Sequence, residues 1–541
     1  MESMEYIHSI WIPYGMWGDG KVNPSGHTYL PDRFNNLGSS YLSRFKHTGN
    51  MRDIDFAISY HQKAIESISP GHADLPDRFK NLGSSYLSRF KHTGDIKDID
   101  SAISHHQKAV ESTSSGHADL SDWVNNLGNS YLDRFKHTSD LQDIDCAMSY
   151  HQSAIECTPS GHAYLPGYIN SLGSSYLSRF KCTGNLQDID YAITHYQNTV
   201  KSTPSGHINL SHWYNDLGQS YQLRFQSNHD FHDIQNSIAS YRSAAKANGT
   251  PSIRLESARL AATLSSDQAD SCCLNDFALA ISLLSELAGL EQTIHHRYDN
   301  LYCHSDLVRS AVATALCFNE ASLALEWLEQ GRCLVWTQFN QLCTPIDDLP
   351  MMNLPLADRF IIVSSALESY GTHSILSIPS SHATLAEDVH LQDDALKHTL
   401  YAIEYRQLLK EIRALPGFHN FFQPPNATDL LFSLPFDGPV IIFNMHDTQC
   451  DALALIAREK EPLHIPLENF HLVQAEELQK TLSQLDSFTS KQCGIQGVAQ
   501  DRDHMHQHVQ PTLSILFVLK ELWCNFVQPN FEVLGYSVRH C

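Results

Sequence analysis

The imidazoles and thiols, 32 His and 13 Cys in 541 residues, are the side chains here best suited to covalent chemistry. A thiolate nucleophile needs a base within hydrogen-bond reach and an oxyanion site beside it. Two His/Cys neighbours stand out. His446 and Cys450 flank a short turn at His446-Asp447-Thr448, and His540-Cys541 close the chain. A plain turn accounts for the first pair, and the second has no following sequence to hold it. Neither is expected to be catalytic.

Metal ligation is the next chemistry that these imidazoles suggest. His27, His72, His117, His162 and His207 recur at a constant spacing of 45 residues. Equivalent positions in stacked helix pairs lie about 10 Å apart, whereas zinc ligands all sit ~2 Å from one ion. Duplication of a unit explains this row better than a metal. His504, His506 and His508, with Asp501 and Asp503, form a denser cluster in a polar stretch. A free loop rarely holds a ligand set without supporting hydrogen bonds, so a solvated loop is the expectation there. No metal, cofactor motif or catalytic residue is assigned.

Charge narrows the function classes further. Lys and Arg total 37 against 60 Asp and Glu, a formal charge of −23, which disfavours binding to a phosphate backbone. Hydrophobic residues make up 42%, in keeping with a folded chain. The cysteines form no CxxC pairs, and an odd count in a long chain reads as reduced, intracellular thiols. Glu2 and Glu5 stand where a signal peptide has basic residues, and no run reaches the ~18 apolar residues of a membrane span. The expectation is a cytoplasmic protein that binds neither nucleic acid nor membrane.

The elements that would position any site come from a repeat. Leu-Gly pairs at 37–38, 82–83, 127–128, 172–173 and 217–218 are each 45 residues apart. Leu30, Phe34, Leu37, Tyr41 and Phe45 fall on one face of a helix, called A. Ile54, Ala57, Ile58, His61, Ala64 and Ile65 do the same in a second helix, B, for which Asp53 and Asp55 are the expected N-cap and first-turn anion. Gly38 and Ala57 are small enough to let A and B approach closely. One A/B pair cannot bury both faces, so five pairs must stack into a solenoid.

The sequence Phe34, Leu37-Gly38, Tyr41, then Ala57 and Ala64, then Pro70 resembles the tetratricopeptide (TPR) pattern. That family's unit is 34 residues long, and the extra residues here enter between Tyr41 and Ala57 and between Ala64 and Phe79. Both inserts are expected in turns. His61 replaces the family's helix-B aromatic, and Ser237 replaces Ala in the fifth unit, which predicts weaker packing there. The resemblance places Asn36, Asn81 and Asn126 where ligand-facing Asn residues sit. Asn35, Lys80, Asn125, Asn170 and Asn215 lie one residue earlier and are expected to border the same groove. Asn offers both a donor and an acceptor to a peptide backbone. The fourth and fifth units carry Ser171 and Asp216 instead of the ligand-facing Asn.

Arg44, Arg89, Arg134, Arg179 and Arg224 end each helix A, in step with Asp53, Asp98, Asp143, Asp188 and Asp233. Pairing with these Asp residues is expected, in preference to a basic ladder that binds an acidic ligand.

Helical patterns without a clean period continue through 251–344 and resemble degenerate TPR helices. After Pro345 come a loop with PIDDLP, a Ser-rich stretch at 377–383, a helix from Asp393 to Leu415, and strands Val440 to Asn444 and Cys450 to Ile456 that read as a hairpin. A helix at 472–486, a polar stretch at 487–510 and a helix at 513–527 follow. The strings ALEWLEQGRCLVWTQFNQLCTPIDDL, EIRALPGFHNFFQPP and GPVIIFNMHDTQCDALAL resemble the linker and opening of CHAT domains, caspase-like α/β domains found after TPR arrays. That family is similar to clan CD cysteine peptidases, whose catalytic His lies in a segment like HxxCHG and Cys in one like SACxT. Neither string occurs here.

The expected architecture is mainly α, with an N-terminal extension (1–25), five TPR-like repeats (26–250), degenerate TPR-like helices (251–344) and an incomplete CHAT-like α/β segment (345–541). The expected role is a non-catalytic scaffold that takes a protein or peptide in its groove, without a cofactor. Association with a full-length CHAT paralogue is a further expectation. The alternative is the N-terminal fragment of a peptidase whose catalytic His and Cys lie beyond residue 541.

Overall fold

The computed structural model describes residues 29–114, 116–287, 302–332, 348–373, 385–436, 438–492 and 518–534, with single positions at 289, 290, 297, 299, 334, 341, 342 and 346. The N-terminal extension, His27, the Ser-rich stretch, the His504 to His508 cluster and His540-Cys541 lie outside the described residues. The chain divides into two compact units, Met1–Gly249 and Thr250–Cys541.

The described residues of the first unit form ten helices: α1 Leu30–Thr48, α2 Met51–Glu66, α3 Leu75–Thr93, α4 Ile96–Glu111, α5 Leu120–Thr138, α6 Leu141–Glu156, α7 Leu165–Thr183, α8 Leu186–Ser202, α9 Leu210–Asn228 and α10 Phe231–Lys246. The odd members are helix A and the even members helix B of five TPR-like pairs. Each A packs on its own B, each B on the next A, and α1, α3 and α5 each touch the following A, while α7 meets α9 through Asn170 and Asp216.

Local chemistry explains where these helices stop. Helix A closes on a left-handed residue, Gly49, Gly94 and Gly184 in three repeats and Ser139 and His229 in the other two. Helix B opens on Asn50, Asp95, Asp140, Asn185 or Asp230, whose side chain accepts the backbone N–H two residues on. The N-cap is therefore Asn50 rather than Asp53 or Asp55; Asp53 is a buried residue of the first turn.

The insert between Tyr41 and Ala57 also lies elsewhere than expected. Helix A is 19 residues long and only Gly49-Asn50 separates it from helix B, so the additional residues lengthen the helix rather than the turn. Arg44, Phe45 and Lys46 sit on this added length. The second insert does enter the link between α2 and α3.

Ile54, Ala57 and Ala64 of α2 are fully buried, as are their counterparts in α4 and α6. Ser237 does not loosen the fifth pair. It is as buried as the Ala it replaces, and its hydroxyl donates to the Gly218 carbonyl at 2.9 Å, so the added polar atom is satisfied.

The second unit begins with two further helix pairs, α11 Pro251–Asp267 with α12 Cys273–Leu287 and α13 Ser305–Cys317 with α14 Ala321–Arg332. The short α15 Leu349–Met352 occupies the end of the expected PIDDLP loop, and α16 Leu354–His373 packs on α17 Leu385–Arg413 around Phe360, Tyr405, Leu408 and Ile412. Helix α17 starts earlier than expected from the sequence, and α16 has no counterpart in the sequence reading.

After α18 Ala427–Phe432 come β1 Val440–Met445, β2 Cys450–Leu455 and β3 Leu463–Pro466, a sheet in the order β1-β2-β3. The hairpin is antiparallel with Ile441 opposite Ala454, and β3 adds antiparallel to β2 with Ile465 opposite Ala452. β2 is buried throughout. Cys450 joins Leu467, Phe470, Leu478 and Val518, while Ala452 and Ala454, which follow it on the same face of the strand, meet Ile465. α19 Leu472–Gln492, a π-helical turn at Trp523–Val527 and α20 Gln528–Val533 complete the described elements. Among the described residues no helix is long and apolar enough to cross a membrane.

Candidate functional site

Arginines at the end of helix A are committed to structure. Arg89 Nε and Nη2 donate to both oxygens of Asp98 at 2.8 and 2.7 Å, a bidentate fork. Its Nη1 reaches back to Asp55 of the preceding repeat at 2.9 Å, and its guanidinium lies 5.5 Å from the Tyr86 ring centre. Arg134, Arg179 and Arg224 repeat this three-way arrangement with Asp143 and Asp100, Asp188 and Asp145, and Asp233 and Asp190. Sequence reasoning found the fork but missed the bond across repeats. A ligand would have to displace these carboxylates to use the arginines.

The imidazoles of helix B are equally occupied. His61, His106 and His151 are buried, and each Nδ1 meets a Ser hydroxyl of the next helix A: Ser85 at 2.9 Å, Ser130 at 2.8 Å and Ser175 at 2.9 Å. Burial disfavours the cation, which pushes His61 and His106 down to about 4 and His151 to about 3. The loop row has a turn role. His72, His117, His162 and His207 each accept, through Nδ1, the backbone N–H two residues on at 3.1 to 3.3 Å. Among the described residues no group of three His, Cys, Asp or Glu could hold a metal ion.

What remains available is the outward face of helix A. In α1 it runs through Asp32, Asn36, Ser39, Ser43 and Lys46, spaced four, three, four and three residues apart. Asn36 is exposed; Asn81 is half-buried and donates to Asn35 at 2.9 Å and to Asp77 at 3.2 Å. Asn126 is half-buried and donates to Asp122 at 3.2 Å.

The earlier positions are mostly turned inward. Asn35, Asn125 and Asn170 are buried, Asn170 donating to Asp216 at 3.3 Å, while Lys80 and Asn215 are half-buried. The Oδ1 atoms of Asn125 and Asn170 have no hydrogen-bond partner among the described residues. Adjacent residues on a helix point ~100° apart, yet the earlier residue of one repeat meets the ligand-facing position of the next, Asn35 with Asn81 and Asn170 with Asp216. The face also holds Lys46, Lys91, Lys136 and Lys181, which sequence reasoning passed over although a Lys follows Arg-Phe in four of the five A helices.

Among the described residues of the second unit no buried thiol is activated. Cys450 is buried and its Sγ faces the His446 carbonyl at 3.9 Å, while His446 Nδ1 lies 2.9 Å from the Thr448 hydroxyl. Burial pushes the Cys450 thiol up, as it does Cys317 and Cys273. Cys317 Sγ donates to Gln449 Oε1 at 3.1 Å, and Gln449 Nε2 donates to Asp451 at 2.8 Å. Asp451 is buried beside His464 at 2.7 Å, so both its oxygens are engaged in holding β2 to its neighbours. This cluster ties the sheet to α13 and offers no base to a thiol.

No family model and no curated protein matches the chain. Solved structures similar to it include a Podosopora anserina chain of nearly identical TPR-like repeats, described as a kinesin light chain, at 12% identity over 40% of this chain and 99% of that one, TM-score 0.30. MamA is 17% identical over 41% of this chain and 96% of its own, TM-score 0.28. The Rap conjugation gene regulator of plasmid pLS20, in complex with the Phr* peptide, is 13% identical over 61% and 82%, TM-score 0.28. The paired helices of this chain pack as TPR-like repeats.

Proposed function

We propose that the first unit is a protein-interaction scaffold that holds an extended peptide along the outward face of its A helices. The observation that carries this reading is the recurrence of Asn36, Asn81 and Asn126 at one place on successive helices, beside short hydroxyl side chains. Carboxamides and hydroxyls supply donors and acceptors to a peptide backbone without demanding one sequence. The Arg forks and buried His residues, in contrast, are spent on cohesion between repeats. The proposed role is binding, without chemistry of the chain's own.

A degenerate peptide library bound to the full chain tests it. Replacing Asn36, Asn81 and Asn126 together by Ala should weaken binding about tenfold or more in a variant that still unfolds cooperatively. Unchanged binding by a folded triple variant would sink the reading.

The three strings of the second unit carry an alternative, a fragment of a CHAT-type peptidase. The hairpin formed by GPVIIFNMHDTQCDALAL is the observation that favours it. The reading frame of the full-length transcript across the codon for Cys541 distinguishes the two. Continuation into segments like HxxCHG and SACxT would support the peptidase fragment. A stop codon there leaves the binding role.

A further inference from the structure

We infer that the peptide held by the A helices is acidic, with its carboxylates facing a lysine row formed by Lys46, Lys91, Lys136 and Lys181. This rests on the groove reading above and names the class of ligand. The four lysines occupy one position in four successive helices, on the length that helix A adds beyond Tyr41 and its equivalents.

All four ammonium groups are on exposed residues. They lie within electrostatic reach of one another: Lys91 and Lys80 add to desolvation in pulling the Lys46 ammonium down, and Lys136 does so for Lys181. Repelling cations held in a row bind an anion more favourably than they tolerate each other. Only part of the charge is neutralised within the chain. Asp133 meets both Lys91 at 3.0 Å and Lys136 at 3.9 Å, and Lys181 donates to the neutral Gln219 at 3.2 Å.

The opposite lip is acidic. Asp32, Asp77 and Asp122 stand at the start of the same faces, with Asp32 and Asp77 both bound to Arg78, at 2.5 and 2.8 Å. Helix A rises ~1.5 Å per residue, so about 20 Å separates the acidic lip from the lysine row. Hydroxyl and carboxamide positions lie between them, except for Asp133 in the third repeat. The geometry therefore sets a polarity across the groove: ligand backbone over the middle, ligand carboxylates toward the end of helix A.

Packed helices lie ~8 to 10 Å apart and an extended chain rises ~3.3 Å per residue, so carboxylates about every third residue match the row. In the fifth repeat Gln226 stands at the lysine position and Leu223 at the Ser43 position, which ends the row. A nucleic acid is the less favoured occupant, because a phosphate on every nucleotide leaves no uncharged backbone to lie over the carboxamide and hydroxyl positions in the middle of the groove.

The test uses the full chain and four labelled probes: degenerate peptides of one length with acidic, Gln-substituted neutral or basic composition, and a single-stranded oligonucleotide. Acidic peptides should bind about tenfold more tightly than neutral ones, and added salt should remove the difference. The quadruple variant K46Q/K91Q/K136Q/K181Q should lose about tenfold for acidic peptides only, whereas K63Q/K97Q/K108Q/K201Q on the B helices changes binding less than twofold. Equal binding of neutral and acidic peptides, both lost on replacing Asn36, Asn81 and Asn126 by Ala, would overturn the charge inference and leave the groove reading intact. Binding of the oligonucleotide alone would overturn both, as would the absence of binding by every probe.

Discussion

His61 lies over Gly38 so closely that a Cβ at Gly38 would fall 2.5 Å from the imidazole Cδ2. The same fit recurs at Gly83 with His106 and Gly128 with His151, and with a phenol ring at Gly173 and Tyr196 and at Gly218 and Tyr241. The Gly of each Leu-Gly pair is thus required by a ring from helix B, and not by backbone conformation. Gly83→Ala should cost about 1 to 3 kcal/mol through overpacking. Urea unfolding of Gly83→Ala in the parent and in a His106→Ala background measures it. A penalty that does not shrink when the ring is removed would contradict this fit.

Acid should weaken the array through the same rings. His61 and His106 are pushed down to about 4 and His151 to about 3. Unfolded imidazole titrates near ~6.5, so between that value and about 4 the unfolded chain binds protons the folded one does not. Stability is full above pH ~6.5 and falls as pH drops toward the folded values. The urea midpoint should therefore decline over this range. Tyr already fills this position in the last two repeats, so His61→Tyr, His106→Tyr and His151→Tyr together should flatten the decline. An undiminished slope in that variant would exclude these histidines as its source.

Breaking one Arg fork should cost more than removing its second partner. Asp143 is almost fully buried under Arg134, whereas Asp100 is more than half exposed. Arg134→Gln leaves a buried carboxylate without its cation and is expected to cost about 2 to 3 kcal/mol, while Asp100→Asn costs less than about 1 kcal/mol. Chemical denaturation of the two variants and of Arg134→Gln with Asp143→Asn gives the coupling directly. Equal penalties for the two single variants would refute the ranking.

Thiol reactivity should follow burial. Cys157 and Cys182 are exposed, whereas Cys273 and Cys450 are buried and burial pushes the Cys273 thiol up to about 11. Brief alkylation at neutral pH, read by peptide mass spectrometry, should label the first two and spare the second two until denaturant is added. Early modification of Cys450 would contradict the packing of β2.

Much of the first unit could be read from the sequence because its determinants are local and repeated. The 3.6-residue stripe of helix A, the recurring Arg and Asp, and the small Gly38 and Ala57 all lie within one 45-residue unit. The residues after Tyr41 were misread because SRFKHT is polar, and a 34-residue frame assigned it to a turn. Its turn signal is instead confined to Gly49-Asn50. The bond from Arg89 to Asp55 joins different repeats, which a pattern within one unit cannot reveal. The contact of Asn35 with Asn81 likewise joins two repeats.

The second unit was less legible for a different reason. Helix α16 carries apolar residues on several sides, with Ile361 and Ile362 exposed beside buried Phe360 and Val363, so no clean stripe marks it. β3 is four residues long and contains His464, which only the tertiary partner Asp451 explains.

The central claim is that the A helices hold an extended peptide. A photo-crosslinking acidic peptide bound to the full chain, with adducts mapped by mass spectrometry, tests it most directly. The account predicts adducts within residues 30–48, 75–93, 120–138 and 165–183, lost on competition with unlabelled peptide. Adducts confined to the B helices or to the second unit would contradict it.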